Sequence, residues 1–188
     1  NIEFNNNMSE TDGGGGIYNY FSDPTLINVI LSENLAHYGG GLINDNSSPT
    51  LLNVNFEENI ATTGSGGGMV NMNNSSPVLT NVTFIENSAD AYGGGLISDE
   101  SDFTLNNVVF NNNSAGNGGG GIYAQYSNII LSDVEFVNNS ANSYGGGLDL
   151  RYGSSATLTN VTYFNNSARI DGGGIKNYQS SMTIINVT

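Results

Sequence analysis

A period of about 26 residues runs through the whole chain and restricts its fold more than any other feature. Aligned on the triplet Asn-Val-Thr, the chain shows one asparagine column, interrupted once by aspartate: Asn1, Asn28, Asn53, Asn81, Asn107, Asp133, Asn160 and Asn186. A second column follows five or six residues later: Asn7, Asn34, Asn59, Asn87, Asn113, Asn139 and Asn166. A glycine triplet completes each unit and ends at Gly16, Gly41, Gly68, Gly95, Gly121, Gly147 and Gly174. Three columns in one register indicate a tandem repeat.

Apolar residues follow the same period and predict the local structure. Leu79, Val82 and Phe84 represent three such columns. Val and Phe are two residues apart, which places both on one face of a strand, whereas Leu and Val are three apart. An intervening corner residue in the left-handed region explains this slip, and Asn tolerates that conformation well. Each repeat therefore predicts three short strands, namely the glycine triplet with the residues after it, Thr-Leu-x, and Val-x-Phe.

Units of this kind bury their apolar faces only by stacking on one another, each coil pairing in parallel with the next. We therefore predict an all-β fold, a right-handed parallel β-helix of about seven coils with ~26 residues each, the hand following from the usual parallel crossover. Residues 1–188 are expected to form a single segment of a longer solenoid or filament.

The composition supports this fold and excludes some classes of binding partner. The chain holds 32 Asn and 26 Gly, both unfavourable in helices. Its net charge is −14 with only three cations, so we expect no nucleic-acid partner. It contains no Cys, and no apolar run long enough for a membrane helix, so we expect no membrane insertion by this segment.

The motifs resemble a known family. Phe-x-x-Asn, as in Phe84 to Asn87, together with Gly-Gly-Gly-Ile/Leu resembles the middle-domain repeats of chlamydial polymorphic membrane proteins, which carry Phe-x-x-Asn and Gly-Gly-Ala-Ile/Leu/Val. The third glycine replaces Ala in every coil, Leu31 and Tyr163 replace Phe, and the cysteines common in those proteins are missing. The resemblance implies an extracellular, cell-surface adhesin with a host or cell-surface ligand.

Parallel β-helices also include polysaccharide-binding and polysaccharide-degrading proteins, which is the alternative function. The chain has one histidine, His37, and no Asp-Asp pair, while the adjacent Glu57 and Glu58 point apart. Because glycoside cleavage needs two facing carboxylates, we expect a protein that is not an enzyme. Tyr18 and Tyr123 share an outward column, but three aliphatic residues separate them, so no continuous sugar platform is expected.

Two sets of polar residues are candidate sites. Asp99, Glu100 and Asp102 lie in one variable loop and could bind calcium weakly, although a solvated acidic loop is the favoured interpretation; no other cofactor is expected. Ten Asn-x-Ser/Thr sequons occur, and three precede the second asparagine column and should point outward. These three are the candidate glycan acceptors: Asn112, Asn138 and Asn165. Structural use of the asparagines is favoured over glycosylation at any single site.

The ends of the chain predict self-association. The first and last segments are ordinary repeat strands without capping features, so we expect copies to stack end to end along the solenoid axis. One ion pair is also expected from the register, since Asp149 and Lys176 occupy the same outward column in successive coils.

Overall fold

The computed structural model describes residues 2–188, so Asn1 of the first asparagine column lies outside the described residues. Within this range the chain forms strands only, and they assemble into three parallel sheets. None of the described residues forms a helix with the length and apolarity needed to cross a membrane. The predicted parallel β-helix of about seven coils is confirmed.

The first sheet, called here the long sheet, has eight strands and carries the Leu, Val and Phe columns. Its strands are β1 (Ile2–Asn5), β3 (Thr25–Ser32), β6 (Thr50–Glu57), β9 (Val78–Ile85), β12 (Phe103–Asn111), β15 (Asn128–Val137), β18 (Ser155–Phe164) and β21 (Ser181–Val187). Neighbouring strands pair in register, so that Leu79 lies beside Leu105 and Phe84 beside Phe110. Each column of the sequence therefore forms a row along the solenoid axis.

The second sheet, called here the glycine sheet, has seven strands, each directly after a glycine triplet. They are β2 (Ile17–Tyr20), β5 (Leu42–Asp45), β8 (Met69–Met72), β11 (Leu96–Asp99), β14 (Ile122–Gln125), β17 (Leu148–Arg151) and β20 (Ile175–Tyr178). The triplets let neighbouring coils approach closely: a Cβ on Gly95 would lie 2.7 Å from the carbonyl oxygen of Gly121 and 2.8 Å from the Phe110 ring.

The third sheet corrects the predicted strand boundaries. Thr-Leu-x and Val-x-Phe are not two strands but one long strand with the asparagine corner inside it. The third strand of a coil has two residues and follows the second asparagine column, and six such strands form the third sheet. These strands are β4 (Leu35–Ala36), β7 (Ile60–Ala61), β10 (Ser88–Ala89), β13 (Ser114–Ala115), β16 (Ser140–Ala141) and β19 (Ser167–Ala168).

The corners adopt left-handed backbone conformations, as predicted for the first asparagine column. Its described members, from Asn28 to Asn186, have φ between 52° and 55°. The sequence did not reveal two further left-handed columns, because their residue types vary. One includes Glu86 and Asn112, and the other includes Glu100 and Tyr126.

A stack of aromatic rings fills the centre of the coils. Phe56, Phe84, Phe110 and Phe136 are fully buried, and Tyr163 continues the row. Successive ring centroids lie 4.6 to 5.0 Å apart with planes within 8° of parallel. The spacing of coils therefore coincides with the spacing of stacked rings, which lets one aromatic residue per repeat form a continuous core.

The second asparagine column forms a buried ladder, as predicted. In each rung the backbone N–H and Nδ2 of one asparagine both donate to Oδ1 of the asparagine in the next coil, at 2.9 to 3.1 Å. From Asn34 onward, Nδ2 also donates to a carbonyl oxygen of the preceding coil's aromatic column, such as that of Phe84 for Asn113. The five rungs from Asn34 to Asn139 have no exposed surface.

A second buried ladder consists of serines, and the repeat pattern of the sequence does not reveal it. The backbone N–H of one serine donates to Oγ of the serine in the next coil, at 2.9 to 3.2 Å. Its members are Ser22, Ser47, Ser75, Ser101, Ser127 and Ser154, and all except Ser22 are buried. They lie just before the long strand, in the segment whose length varies, so alignment on the triplets obscures them.

Candidate functional site

Tyrosine marks one side of the solenoid. Tyr163 belongs to the central ring stack, but the other nine tyrosines lie in the glycine sheet or in the segments directly before and after its strands. Tyr18 and Tyr123 belong to the sheet strands, whereas Tyr38 and Tyr92 precede the glycine triplets. The outer side of the long sheet carries none of them.

Four of these tyrosines line a groove of about 680 Å³ that runs over the first five coils. We call it the tyrosine groove, and its lining residues are Asp12, Gly13, Tyr18, Tyr38, Ser65, Val70, Met72, Tyr92, Ile97, Asp99, Tyr123 and Gln125. Val70 and Ile97 form an apolar floor between Tyr18 and Tyr123. Two of the three aliphatic residues expected to separate the two tyrosines thus line the same depression as the rings.

Neighbouring residues hold the rings in place. Tyr38 packs against Gly64, where a Cβ would collide with the Tyr38 ring. Tyr92 packs on Tyr123 with ring centroids 4.6 Å apart and planes tilted by 43°. Because Gly64 is required for the position of Tyr38, ring and glycine form one structural unit.

Hydrogen bonds fix the hydroxyl groups at both ends of the groove. The Tyr18 hydroxyl donates to Asp45 Oδ2 at 3.0 Å, and the Tyr123 hydroxyl donates to Gln125 Oε1 at 2.9 Å. Burial, and then the hydrogen bond to Asp45, raise the pKa of Tyr18 above its usual range. Burial likewise raises the pKa of Tyr123. Both phenols therefore stay neutral near neutral pH.

Asp45 is the anchor for Tyr18. Its Oδ1 accepts hydrogen bonds from Nδ2 of Asn73 at 2.7 Å and from Nδ2 of Asn46 at 3.0 Å. The bond from Asn73 lowers the pKa of Asp45 below its usual range, against the opposing effect of burial, and the bonds from Tyr18 and Asn46 act in the same direction. Asp45 is thus ionised and held in one orientation.

The three acidic residues considered for calcium do not converge. Asp99 lines the tyrosine groove, while Asp102 lines a separate depression and accepts a hydrogen bond from the backbone N–H of Asn128 at 2.6 Å. Glu100 lies between them on an exposed left-handed corner. In residues 2–188 no group of three acidic or histidine side chains is arranged to hold a metal ion.

The three candidate glycan acceptors share one environment. Asn112, Asn138 and Asn165 are exposed and occupy left-handed corners with φ between 54° and 57°. Asn165 Nδ2 donates to Asn138 Oδ1 at 2.7 Å, so these two amides contact each other along the axis. The outward direction predicted for this column agrees with their exposure.

The register around Asp149 is as predicted, but its environment is not. Asp149 pairs with Lys176 across neighbouring strands. Asp149 has no exposed surface, however, and binds Arg151 at 2.8 and 3.0 Å, while Lys176 pairs with Asp171 at 2.7 Å. Burial raises the pKa of Asp149 despite the ion pair. The reason is that the preceding glycine corner covers this column, which strand alternation alone does not show.

Comparison with known proteins finds one similar repeat family. The model of the Chlamydia polymorphic membrane protein repeat matches residues 1–20 and 107–125. Two segments of this chain thus resemble polymorphic membrane protein repeats. Each match spans a Phe-x-x-Asn motif, a glycine triplet and the strand that follows, and together they cover about a fifth of the chain. No curated protein and no solved structure matches the chain significantly.

The resemblance predicted from the motifs is confirmed by these two matches and by the parallel solenoid. The repeat model supports a β-solenoid like that of surface proteins and adhesins. The remaining coils carry the same asparagine ladder and glycine triplets in register, so they continue the same architecture.

Proposed function

We propose that this chain is a non-catalytic, extracellular adhesive solenoid: a rigid segment of a cell-surface protein that presents its outer faces to ligands. The observation that carries this proposal is the continuous ladder-locked stack, whose repeats match those of polymorphic membrane proteins in two places. The buried asparagine and serine ladders serve the stack itself, because their side chains bond from coil to coil. A rod of this kind suits the display of a binding surface.

The tyrosine groove favours the alternative of polysaccharide binding over polysaccharide degradation. Asp12 and Asp99 are the carboxylates that line it, and they belong to the first and fourth coils. Three coil steps of ~4.8 Å separate them by roughly 14 Å along the axis. Glycosidases hold their two carboxylates about 5 to 9.5 Å apart, so this pair does not fit such a reaction.

Two further parts of the proposal concern the surface and the ends. Glycans attached at Asn112, Asn138 or Asn165 would project into solvent without disturbing the ladder.

Stacking of a further coil of the same repeat would cover apolar residues that the terminal strands expose, such as Ile2 at 61% and Ile184 at 51%. The supporting argument is that both edges present the same strand pattern, so a second copy would continue the sheets in register.

Adhesion and turnover are tested together. Beads coated with the folded chain should bind to cell surfaces, while beads coated with the heat-unfolded chain should not. The soluble chain, incubated with neutral and acidic polysaccharides, should release no new reducing ends. Equal binding by folded and unfolded chain would refute the adhesive function, and time-dependent release of reducing ends would refute its non-catalytic nature.

A further inference from the structure

We propose that the tyrosine groove binds a neutral, extended hexopyranose oligosaccharide that lies along the solenoid axis. This inference rests on the proposed adhesive function and assigns a ligand class and a site to it. Four features of the groove support it: the exposed tyrosine rings, the negative charge of its lining residues, the fully paired strands beneath it, and its length.

The rings supply preformed stacking surfaces. Tyr18 and Tyr38 are 47% and 52% exposed, so their faces are open to a ligand. Both are nevertheless held in place, Tyr18 by its bond to Asp45 and Tyr38 by contact with Gly64. Binding to rings that are already oriented costs little conformational entropy. Aromatic rings with polar tips suit the apolar face and the hydroxyl rim of a pyranose.

The charge of the groove selects against acidic ligands. Asp12 and Asp99 line the groove, and no lysine or arginine is present among the lining residues that the structure describes. The chain as a whole has a net charge of −14, so it would repel ligands that carry uronate or sulfate groups. Free carboxylates accept hydrogen bonds from sugar hydroxyls, which makes a neutral saccharide the complementary ligand.

The backbone argues against a peptide strand as the occupant. The floor of the groove belongs to the glycine sheet, whose strands pair with their neighbours on both sides along the axis. No row of free backbone groups therefore runs along the groove, and a peptide could not add as a strand there. A ligand in this position must be held by side chains.

The length of the groove matches several sugar units. Tyr18 belongs to the first coil and Tyr123 to the fifth, so four coil steps of ~4.8 Å separate them, roughly 19 Å. One coil step is close to the length of one hexopyranose unit in an extended chain. The volume of about 680 Å³ lies within the range of ligand-binding sites.

Isothermal titration of the whole chain tests the proposal, with cellohexaose and N-acetylchitohexaose as probes and polygalacturonate as the acidic counter-probe. At least one neutral hexamer should bind, its disaccharide should bind at least tenfold more weakly, and polygalacturonate should not bind. Tyr18→Ala and Tyr38→Ala should each weaken binding roughly tenfold, the upper range for one aromatic contact. The matched control is Tyr126→Ala, since Tyr126 is 57% exposed and lies outside the groove.

Several results would overturn the proposal. They are the absence of binding by both neutral hexamers, binding of polygalacturonate instead, or equal losses for Tyr38→Ala and Tyr126→Ala. Circular dichroism of each variant confirms that the fold is retained. Unchanged bead adhesion by the Tyr18→Ala/Tyr38→Ala double variant would refute the groove as the adhesive site and leave the adhesive function standing. Cleavage of a bound hexamer would instead refute the non-catalytic function and leave the site standing.

Discussion

The buried asparagine ladder can be tested with one substitution, Asn113→Ala. Asn113 Oδ1 accepts from the backbone N–H and from Nδ2 of Asn87, both at 3.0 Å. Its Nδ2 donates to the carbonyl oxygen of Phe84 and to Oδ1 of Asn139, both at 2.9 Å. Alanine removes these four bonds. It leaves the bond from the Asn113 backbone N–H to Asn139, so the ladder is fully interrupted on the Asn87 side and keeps one of its two bonds on the Asn139 side.

The expected cost follows from these bonds. A buried hydrogen bond contributes about 1 kcal/mol net, so four of them amount to about 4 kcal/mol of unfolding free energy. The backbone N–H of Asn87 loses its acceptor in a place that water does not reach. The matched control is the neighbour Asn112→Ala, which breaks no side-chain hydrogen bond within the described chain. It should cost only about 1 kcal/mol, because alanine tolerates the left-handed corner less well than asparagine.

Urea denaturation followed by circular dichroism measures both costs, and hydrogen exchange detects the change locally. In Asn113→Ala the backbone amide of Asn87 should exchange much faster, whereas in Asn112→Ala it should stay protected. Local exchange is needed because solenoid coils can unfold in parts. Equal costs for the two variants, or unchanged protection of the Asn87 amide, would refute the assignment of Asn113 as a buried, stabilising residue of the ladder and of Asn112 as an outward residue.

Three further predictions concern the ring stack, the glycine turn and one pH-dependent contact. Phe84→Ala should cost about 3–5 kcal/mol in urea melts, because it removes a fully buried ring between two others at 4.6 and 4.7 Å. Gly94→Ala should lower the melting temperature strongly, since its Cβ would collide with carbonyl oxygens of the next coil. Gly153→Asn should lower it much less, because nothing lies within 4 Å of that position and Asn tolerates its positive φ of 74° better than most residues. Asn73→Gly should destabilise the chain at neutral pH through the lost bond to Asp45. Since the pKa of Asp45 is lowered in the fold, this loss is expected to be full above about pH 3.9 and to shrink as the pH falls through the lower folded value; a pH-independent loss would contradict it.

Much of the architecture could be predicted from the period alone. Identical residues recur once per coil, and parallel stacking places them directly over one another, so a column in the sequence is also a row in space. For that reason the positions of Phe84 in the ring stack and Asn113 in the ladder follow from the alignment. The left-handed corner at Asn81 follows from the change in alternation between Leu79 and Val82.

The serine ladder and the strand boundaries could be recovered only partly. Ser75 and Ser101 lie in the segment whose length changes from coil to coil, so their alignment depends on where the chain re-enters the long sheet. The two-residue strands, such as Ser88–Ala89, are too short for an alternation pattern. They form because the asparagine ladder fixes the residues just before them.

The sequence by itself determined the stack along the axis, and the tertiary structure alone decided what comes together around it. The repeat period determines which residues stack on one another along the axis, but it does not determine the angle at which the backbone turns at each corner. Tyr38 and Tyr92 occupy an irregular column before the glycine triplets, and only the folded corners bring them beside Tyr18 and Tyr123. The same lateral packing buries Asp149. Neighbours along the axis are set by repetition, whereas neighbours around the coil are set by backbone torsions at the corners, and those torsions depend on the packing of the whole coil.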